Sequence, residues 1–417
     1  MSANDRVKHC RLHDLLRDLS ISKSRLEQFF VFQGNLDSLP LAKARHHVVY
    51  TSSVQSLDDV SPNLRSLLFF KASDRNRGMN ISLDAFFLPC LGLISKSFKL
   101  IRVLDLEDMK LKELPSSIGE LIHLKYLGLR DNRLERLPFE VGKLTNLQTL
   151  DIAENCFCNH HNIFWKMKNL RHLYMNVRGG RKNLKIETLR NLQTLLDIGV
   201  EDWLATNPAK LINLRKLGLR GNFRINRVEI FNSLAKLLCL QSLFLYTDEN
   251  LVFPSLSQLS SLRRVIKLQM RGEIRKPPSP DEFPPNLTQL ILHKSRFKDD
   301  PMEMLKKLPY LFVLRLKASS YVGEKMKVSA GGFAQLEILE LEYLELLEEL
   351  DVEESALPKL KSFHISSCFR LTNISEGMKF VTTLQELEIK QMRKRFTDRL
   401  QGEDYYKVQH VPSIKIL

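Results

Sequence analysis

Two stretches, "HLKYLGLRDNRL" at 123–134 and "NLQTLDIAENCF" at 146–157, share the arrangement LxxLxLxxN, and its apolar core recurs down the chain. Further copies include "LIRVLDLEDMKL", "NLRHLYMNV", "NLRKLGLRGN", "CLQSLFLYTD", "NLTQLILHKS", "YLFVLRLKAS", "QLEILELEYL" and "TLQELEIKQM". The first apolar position falls at Ile101, Leu124, Leu147, Leu170, Leu192, Leu214, Leu240, Val265, Leu287, Leu311, Leu336, Leu360 and Leu384, at intervals of 22 to 26 residues. Leu64 and Val411 continue the series at wider spacing. No single unit of this size can bury its own apolar face, so neighbouring units must stack and share one continuous core.

Each unit therefore predicts one short strand and a return segment. Asn132, Asn155 and Asn222 occupy the asparagine position, where a side-chain amide can satisfy backbone groups in the turn leaving the strand. Between Leu114 and Leu147 the returns read "LPSSIGELIHL" and "LPFEVGKLTNL", predicting a turn and a short helical stretch that buries Ile118 and Leu121, then Val141 and Leu144. The stretch "LQTLLDI" at 192–198 admits two registers, which would exchange the two faces of its strand.

Side chains alternate along a strand, so residues between the core leucines face the concave side. Those positions hold Tyr126, Arg130, His172, Tyr174, Lys216, Arg220, Phe244, Tyr246, Lys267, Arg271, His293, Arg315 and Lys317, then Glu340, Glu342, Glu386 and Glu388. The expected surface is basic and aromatic through its middle and acidic toward its end, a polarity suited to protein recognition. The acidic run "EILELEYLELLEELDVEE" at 337–354 reinforces that expectation, because no lysine or arginine lies between Lys327 and Lys359.

With 417 residues, 43% hydrophobic and 27% charged, the chain can form a large core. Its net charge of +15 is spread along the whole length without an aromatic-interleaved basic motif, so nucleic acid is not an indicated partner. There is no signal-peptide pattern at the start and no apolar stretch of transmembrane length. The six cysteines are scattered, which fits a reducing compartment.

Little in the sequence suggests catalysis. The Gly142–Lys143 pair is followed by leucine and belongs to a repeat turn, so this chain holds no phosphate loop. Cys156, Cys158, His160 and His161 in "CFCNHH" are metal-ligand types, but their spacing is not a usual zinc arrangement, and no metal is expected. Near the start, Leu12, Leu15, Leu16 and Leu19 in "CRLHDLLRDLSISK" lie on one face of an amphipathic helix. His13 and Asp14 are adjacent and so about 100° apart around that helix, which rules them out as a facing catalytic pair.

The stretches "CRLHDLLRDLSISK", "ARHHVVY" at 44–50, "LPSSIGELIHLKYL" and "GEDYYKVQHVPSIKI" together resemble the plant nucleotide-binding leucine-rich-repeat disease-resistance receptors of the coiled-coil class. The resemblance implies that Leu12, His13 and Asp14 stand at the Met-His-Asp switch motif, with Leu12 replacing the methionine and the histidine contacting ADP in a full-length parent. It implies that the coiled coil and most of the nucleotide-binding module precede residue 1, so ADP or ATP belongs to that parent and this chain has no cofactor of its own. It also implies that the repeats recognise a pathogen effector or a guarded host protein and restrain the nucleotide-binding module.

The expected fold is an α/β solenoid: a leucine-rich-repeat horseshoe with parallel strands on its concave face, preceded by a short helical remnant of a winged-helix domain. The expected domains are 1–43, the remnant and a linker with loop-like "QGNLDSLPLAKA", and 44–417, about 14 or 15 repeats whose first strand is "ARHHVVY". The cytoplasm is the expected compartment, with the nucleus or the membrane periphery as alternatives. An intracellular repeat adaptor, such as a ubiquitin-ligase substrate receptor, is the competing class.

Overall fold

The computed structural model describes residues 30–33, 45–50, 61–70, 91–155, 163–175, 184–248 and 251–417. The chain divides into two units, residues 1–179 with 184–192, and residues 180–183 with 193–417. Among the described residues of the first unit, parallel strands follow one another in chain order: β1 (Phe30–Gln33), β2 (His46–Tyr50), β3 (Ser66–Phe70), β4 (Val103–Asp105), β5 (Tyr126–Gly128), β6 (Thr149–Asp151) and β7 (His172–Tyr174). The second unit contains β8 (Thr194–Gly199), β9 (Lys216–Arg220), β10 (Ser242–Tyr246), β11 (Lys267–Arg271), β12 (Gln289–His293), β13 (Val313–Lys317), β14 (Lys325–Val328), β15 (Ile338–Glu342), β16 (Glu349–Val352), β17 (Ser362–Ser366), β18 (Glu386–Lys390) and β19 (Ser413–Ile416). Within it β14 and β16 pair with each other, and the remaining strands form a parallel series in chain order.

The leucine period sets this register. In the first unit Leu104, Leu127, Leu150 and Leu173 are direct cross-strand partners and are fully buried. In the second, Leu217, Leu243, Leu268, Leu290, Leu314, Leu339, Phe363 and Leu387 form an equivalent ladder from β9 to β18. Each buried leucine contributes about 1.5–3 kcal/mol by leaving water, and a one-residue slip would expose every member of the ladder. The returns after Pro115 and Pro138 are 3-10 helices, Ser116–Glu120 and Phe139–Lys143, that bury Ile118, Leu121, Val141 and Leu144 as expected.

Three sequence expectations change. The sheet starts ahead of "ARHHVVY": Phe30 and Val31 of β1, aromatic and β-branched residues that favour a pleated strand, pair with His46 and His47. The alternative registers at 192–198 are replaced by a bulge, because Leu195 pairs with Leu217 and Ile198 with Leu219, leaving Leu196 and Asp197 opposite the single residue Gly218. Both Leu195 and Ile198 thereby stay in the core.

The third change concerns the asparagine position. Asn132 and Asn155 act as expected: the Asn132 amide oxygen accepts from the Leu111 N–H at 2.9 Å while its nitrogen donates to Leu106 O and Leu129 O at 2.8 and 3.0 Å. Asn155 repeats the pattern with Leu134, Leu129 and Ile152. Asn222 accepts only from the nearby Arg224 N–H, since the preceding repeat leaves its strand directly into a helix, α1 (Val200–Leu204), instead of the turn such an amide would bridge. Cys368 takes the same position later in the chain, buried with its thiol toward Leu341 O and Ser366 O, and burial pushes that thiol up to about 11.

Candidate protein-binding surface

Because the leucines occupy one face of the strands, the alternating positions present their side chains on the other, and stacking sets each beside its equivalent in the next repeat. In the first unit Tyr126, Arg130, His172 and Tyr174 are all half-buried on that face. Arg130 is already engaged: its Nε donates to the fully buried Asp151 carboxylate at 3.2 Å, and Glu154 lies 3.8 Å from its guanidinium.

The second unit carries the rest of the expected surface. Its first cluster depends on the β8 bulge, where Asp197 has a φ of +66° and directs its carboxylate at Arg220. The guanidinium donates Nε and Nη2 to the two carboxylate oxygens at 2.6 and 2.9 Å, and it lies 5.4 Å from the Tyr246 ring centroid. Gly218 permits the bulge, since a Cβ there would stand 3.0 Å from the Asp197 nitrogen and 3.3 Å from the Leu196 Cα. Burial, followed by the Asp197 charge, raises the Tyr246 phenol above its ordinary range, against the opposing effect of Arg220 and Arg271.

Phe244 and Lys267 were expected as open contact residues, and the structure corrects both. They are 2% and 6% exposed, with the Lys267 ammonium 5.7 Å from the Phe244 ring, because side chains on strands about 4.8 Å apart close over one another. Lys216 is half-buried, whereas Arg271 is exposed at the end of β11. Beside it, burial and the positive charges of Arg271, Lys294 and Lys317 lower His293 to about 4, so this imidazole is neutral at pH 7.

The basic and acidic halves meet at β13 and β15, where they neutralise each other. Arg315 pairs with Glu340 at 2.7 Å, and Lys317 reaches Glu340 at 2.5 Å and Glu342 at 2.7 Å. Burial pushes the Glu340 carboxyl up, but the Lys317 hydrogen bond and the Lys317 and Arg315 charges outweigh it and leave the group below its usual range. Farther on, Glu386 is paired with Lys415, and Glu388 with Lys390 and His364. The strand-face carboxylates Glu340, Glu342, Glu386 and Glu388 are thus each paired with a lysine, whereas among the described residues Glu345, Asp351 and Glu354 are exposed and make no ion pair.

Two features escaped the sequence reading. Asp197 was hidden by the register ambiguity, and no repeat pattern marks an extra residue as a counter-ion. Tyr343 and Phe369, in the turns after β15 and β17, form an exposed edge-to-face pair with ring centroids 5.8 Å apart. They lie one residue beyond β15 and three residues beyond β17, different repeat positions, so no periodic signal marks them. Leu12, His13 and Asp14, like Cys156, Cys158, His160 and His161, lie outside the described residues.

A family model described as a leucine-rich repeat region matches residues 82–404. A putative disease resistance protein of Arabidopsis thaliana is 33% identical over 98% of this chain, which covers 44% of that relative. Disease resistance protein RPP8 of the same organism is 30% identical over 98% of this chain, which covers 46% of it. The chain thus spans less than half the length of the curated relatives it matches. A solved leucine-rich repeat protein of Leptospira interrogans is 19% identical, with a TM-score of 0.38, over 95% of this chain and 98% of that one.

Proposed function

We propose, from the premise that this chain belongs to the leucine-rich repeat family, that it serves as the repeat region of a plant disease-resistance receptor and that its outward strand faces bind protein. The observation that carries this reading is the alignment of 98% of the chain with several disease-resistance proteins. The geometry supports it: Tyr246, Arg271 and His293 offer an aromatic ring, an exposed cation and a neutral imidazole on neighbouring strands. Aromatic and arginine side chains are the usual anchors of protein interfaces. Arg220, Arg315 and Lys317, held in ion pairs, shape the surface and are less available to a partner.

The partner in this reading is a pathogen effector or a guarded host protein, and the same repeats restrain the nucleotide-binding module of a longer receptor in the cytoplasm. Among the described residues no helix is long and apolar enough to cross a membrane. The relatives' names favour a receptor over a ubiquitin-ligase adaptor. The Leu12–His13–Asp14 motif, and with it any ADP contact, belongs to the longer receptor and to none of the steps above.

The test places Arg271→Glu and Tyr246→Ala, singly and together, in a full-length receptor and measures effector-dependent cell death in leaf tissue. The double variant is expected to abolish recognition or to release cell death without effector. Unchanged recognition together with unchanged restraint overturns the proposal. In the same receptor His13→Ala is expected to cause effector-independent death, and continued quiescence overturns the switch role.

A further inference from the structure

Two of the longer intervals within the regular part of the repeat series are the 26 residues from Leu214 to Leu240 and the 25 from Leu240 to Val265. The extra chain of these two repeats follows their strands, in the segments leaving β9 and β10, and these together with the segment leaving β11 enclose a cleft of about 680 Å³. Phe253 and Pro278, both buried, line its floor, and the Phe253 ring packs 5.4 Å from that of Phe223. A hydrogen bond from the Phe253 N–H to Glu273 O at 2.8 Å holds two of the walls together.

The charge at its rim is one-sided. Arg224, Arg227 and Lys276 line the cleft, and among the described residues none of them makes an ion pair. Arg275 has only a loose contact with Glu273, at 3.8 Å between groups that are both well exposed. The one carboxylate lining the cleft, Glu282, is turned to the Ser279 N–H in a capping box. Val228, 51% exposed, adds an apolar edge beside the arginines.

We infer that this cleft is a docking site for an extended segment of another protein in which acidic side chains flank an apolar one. Three unpartnered cations beside accessible apolar surface complement that pattern, because the ring or aliphatic group displaces water from Val228, Pro254 and Pro277 while the carboxylates meet the guanidinium and ammonium groups. A cleft of this volume lies within the range of ligand-sized sites. A purely electrostatic partner such as a polynucleotide would leave the apolar surface unused. The site lies off the strand face and does not depend on the role proposed for Arg271 and Tyr246.

The experiment titrates the full chain into a fluorescein-labelled peptide of sequence GDFELDFEG and follows anisotropy at 0.15 M salt. Three further arms use the same peptide with serine in place of Phe and Leu, the Arg224→Glu/Arg227→Glu variant, and the Arg271→Glu variant. Serine replacement and the double charge reversal should each weaken binding by about tenfold or more, while Arg271→Glu leaves it within about twofold. A milder variant, Arg227→Gln/Lys276→Gln, should give an intermediate loss at an unchanged melting temperature, which separates loss of the site from loss of the fold. Equal affinity for the serine peptide, indifference to the cleft reversals, or loss only with Arg271→Glu overturns the inference.

Discussion

The repeats around Asn132 and Asn155 and those around Glu340 use the same leucine ladder with different polar cement. In the first group, buried side-chain amides tie each turn to the backbone of its neighbour. In the second, the matching position after β12 holds Ser295, whose buried hydroxyl has no hydrogen-bond partner, and the repeats are linked by ion pairs on the strand face. Neutral buried hydrogen bonds resist salt and acid; half-exposed ion pairs resist neither. One apolar period can therefore be held by unlike polar contacts, and stability to heat need not coincide with stability to salt or acid.

The largest expected effect breaks the first group. Asn155→Ala leaves buried carbonyl and N–H groups of two repeats without partners and should cost about 2–4 kcal/mol, read from urea unfolding. Ser295→Ala, at the corresponding position, should change stability by less than about 1 kcal/mol, since no hydrogen bond is lost. Equal losses at the two sites would remove the contrast.

Next in size is Gly218→Ala, which presses a methyl group on the backbone of the β8 bulge and should cost about 1–3 kcal/mol. Loss of the Asp197–Arg220 pair would accompany it. The double variant Asp197→Ala/Arg220→Ala with Gly218→Ala measures how far the two effects are coupled.

Acid sharpens the comparison at His293. Its folded value of about 4 lies below the ordinary imidazole value of 6.5, so its contribution is fully present above pH 6.5 and is lost as pH falls toward 4. Protonation places a third kind of cation beside Arg271, Lys294 and Lys317, and the loss should reach about 1–2 kcal/mol, less than the full shift implies because the ring is partly solvated. His293→Gln should flatten the melting temperature between pH 7 and pH 4.5 relative to the parent chain, and an unchanged slope would show that the titrating group lies elsewhere.

Glu340→Gln is the smallest change, about 0.5–1 kcal/mol in 0.1 M salt and close to none in 1 M, because the pair is half-exposed and screened. Glu340 also loses its contribution in acid, since its folded value lies below the unfolded one. A salt-independent loss would mean that packing, and not charge, holds β13 to β15.

Much of the fold is legible in the sequence for a simple reason. A buried leucine needs only to be apolar and at the right interval, and the interval is visible in one dimension: Leu104, Leu127, Leu150 and Leu173 align in space as they align on the page. Asn132 and Asn155 were equally legible, because their hydrogen bonds reach only to the adjacent turns. Asn222 was not, since its bonding depends on what the previous repeat does after its strand. Alternation separates the strand-face residues from the buried leucines, yet it could not show that Phe244 and Lys267 are covered.

Charge was decided by stacking. The run from Glu337 to Glu354 reads as a block of negative charge, but a solenoid sets each residue beside another about 24 positions away. Glu337 meets Lys361, Glu340 meets Arg315 and Lys317, Glu349 meets Lys325, and Glu353 meets Lys327. The repeat and the leucine core follow from period and hydrophobicity, both of which are written in the linear chain. Which charges go unpaired, Arg271 and those around the Arg224–Lys276 cleft among them, emerges only in three dimensions, because a counter-ion is a neighbour in space and the chain order does not name it.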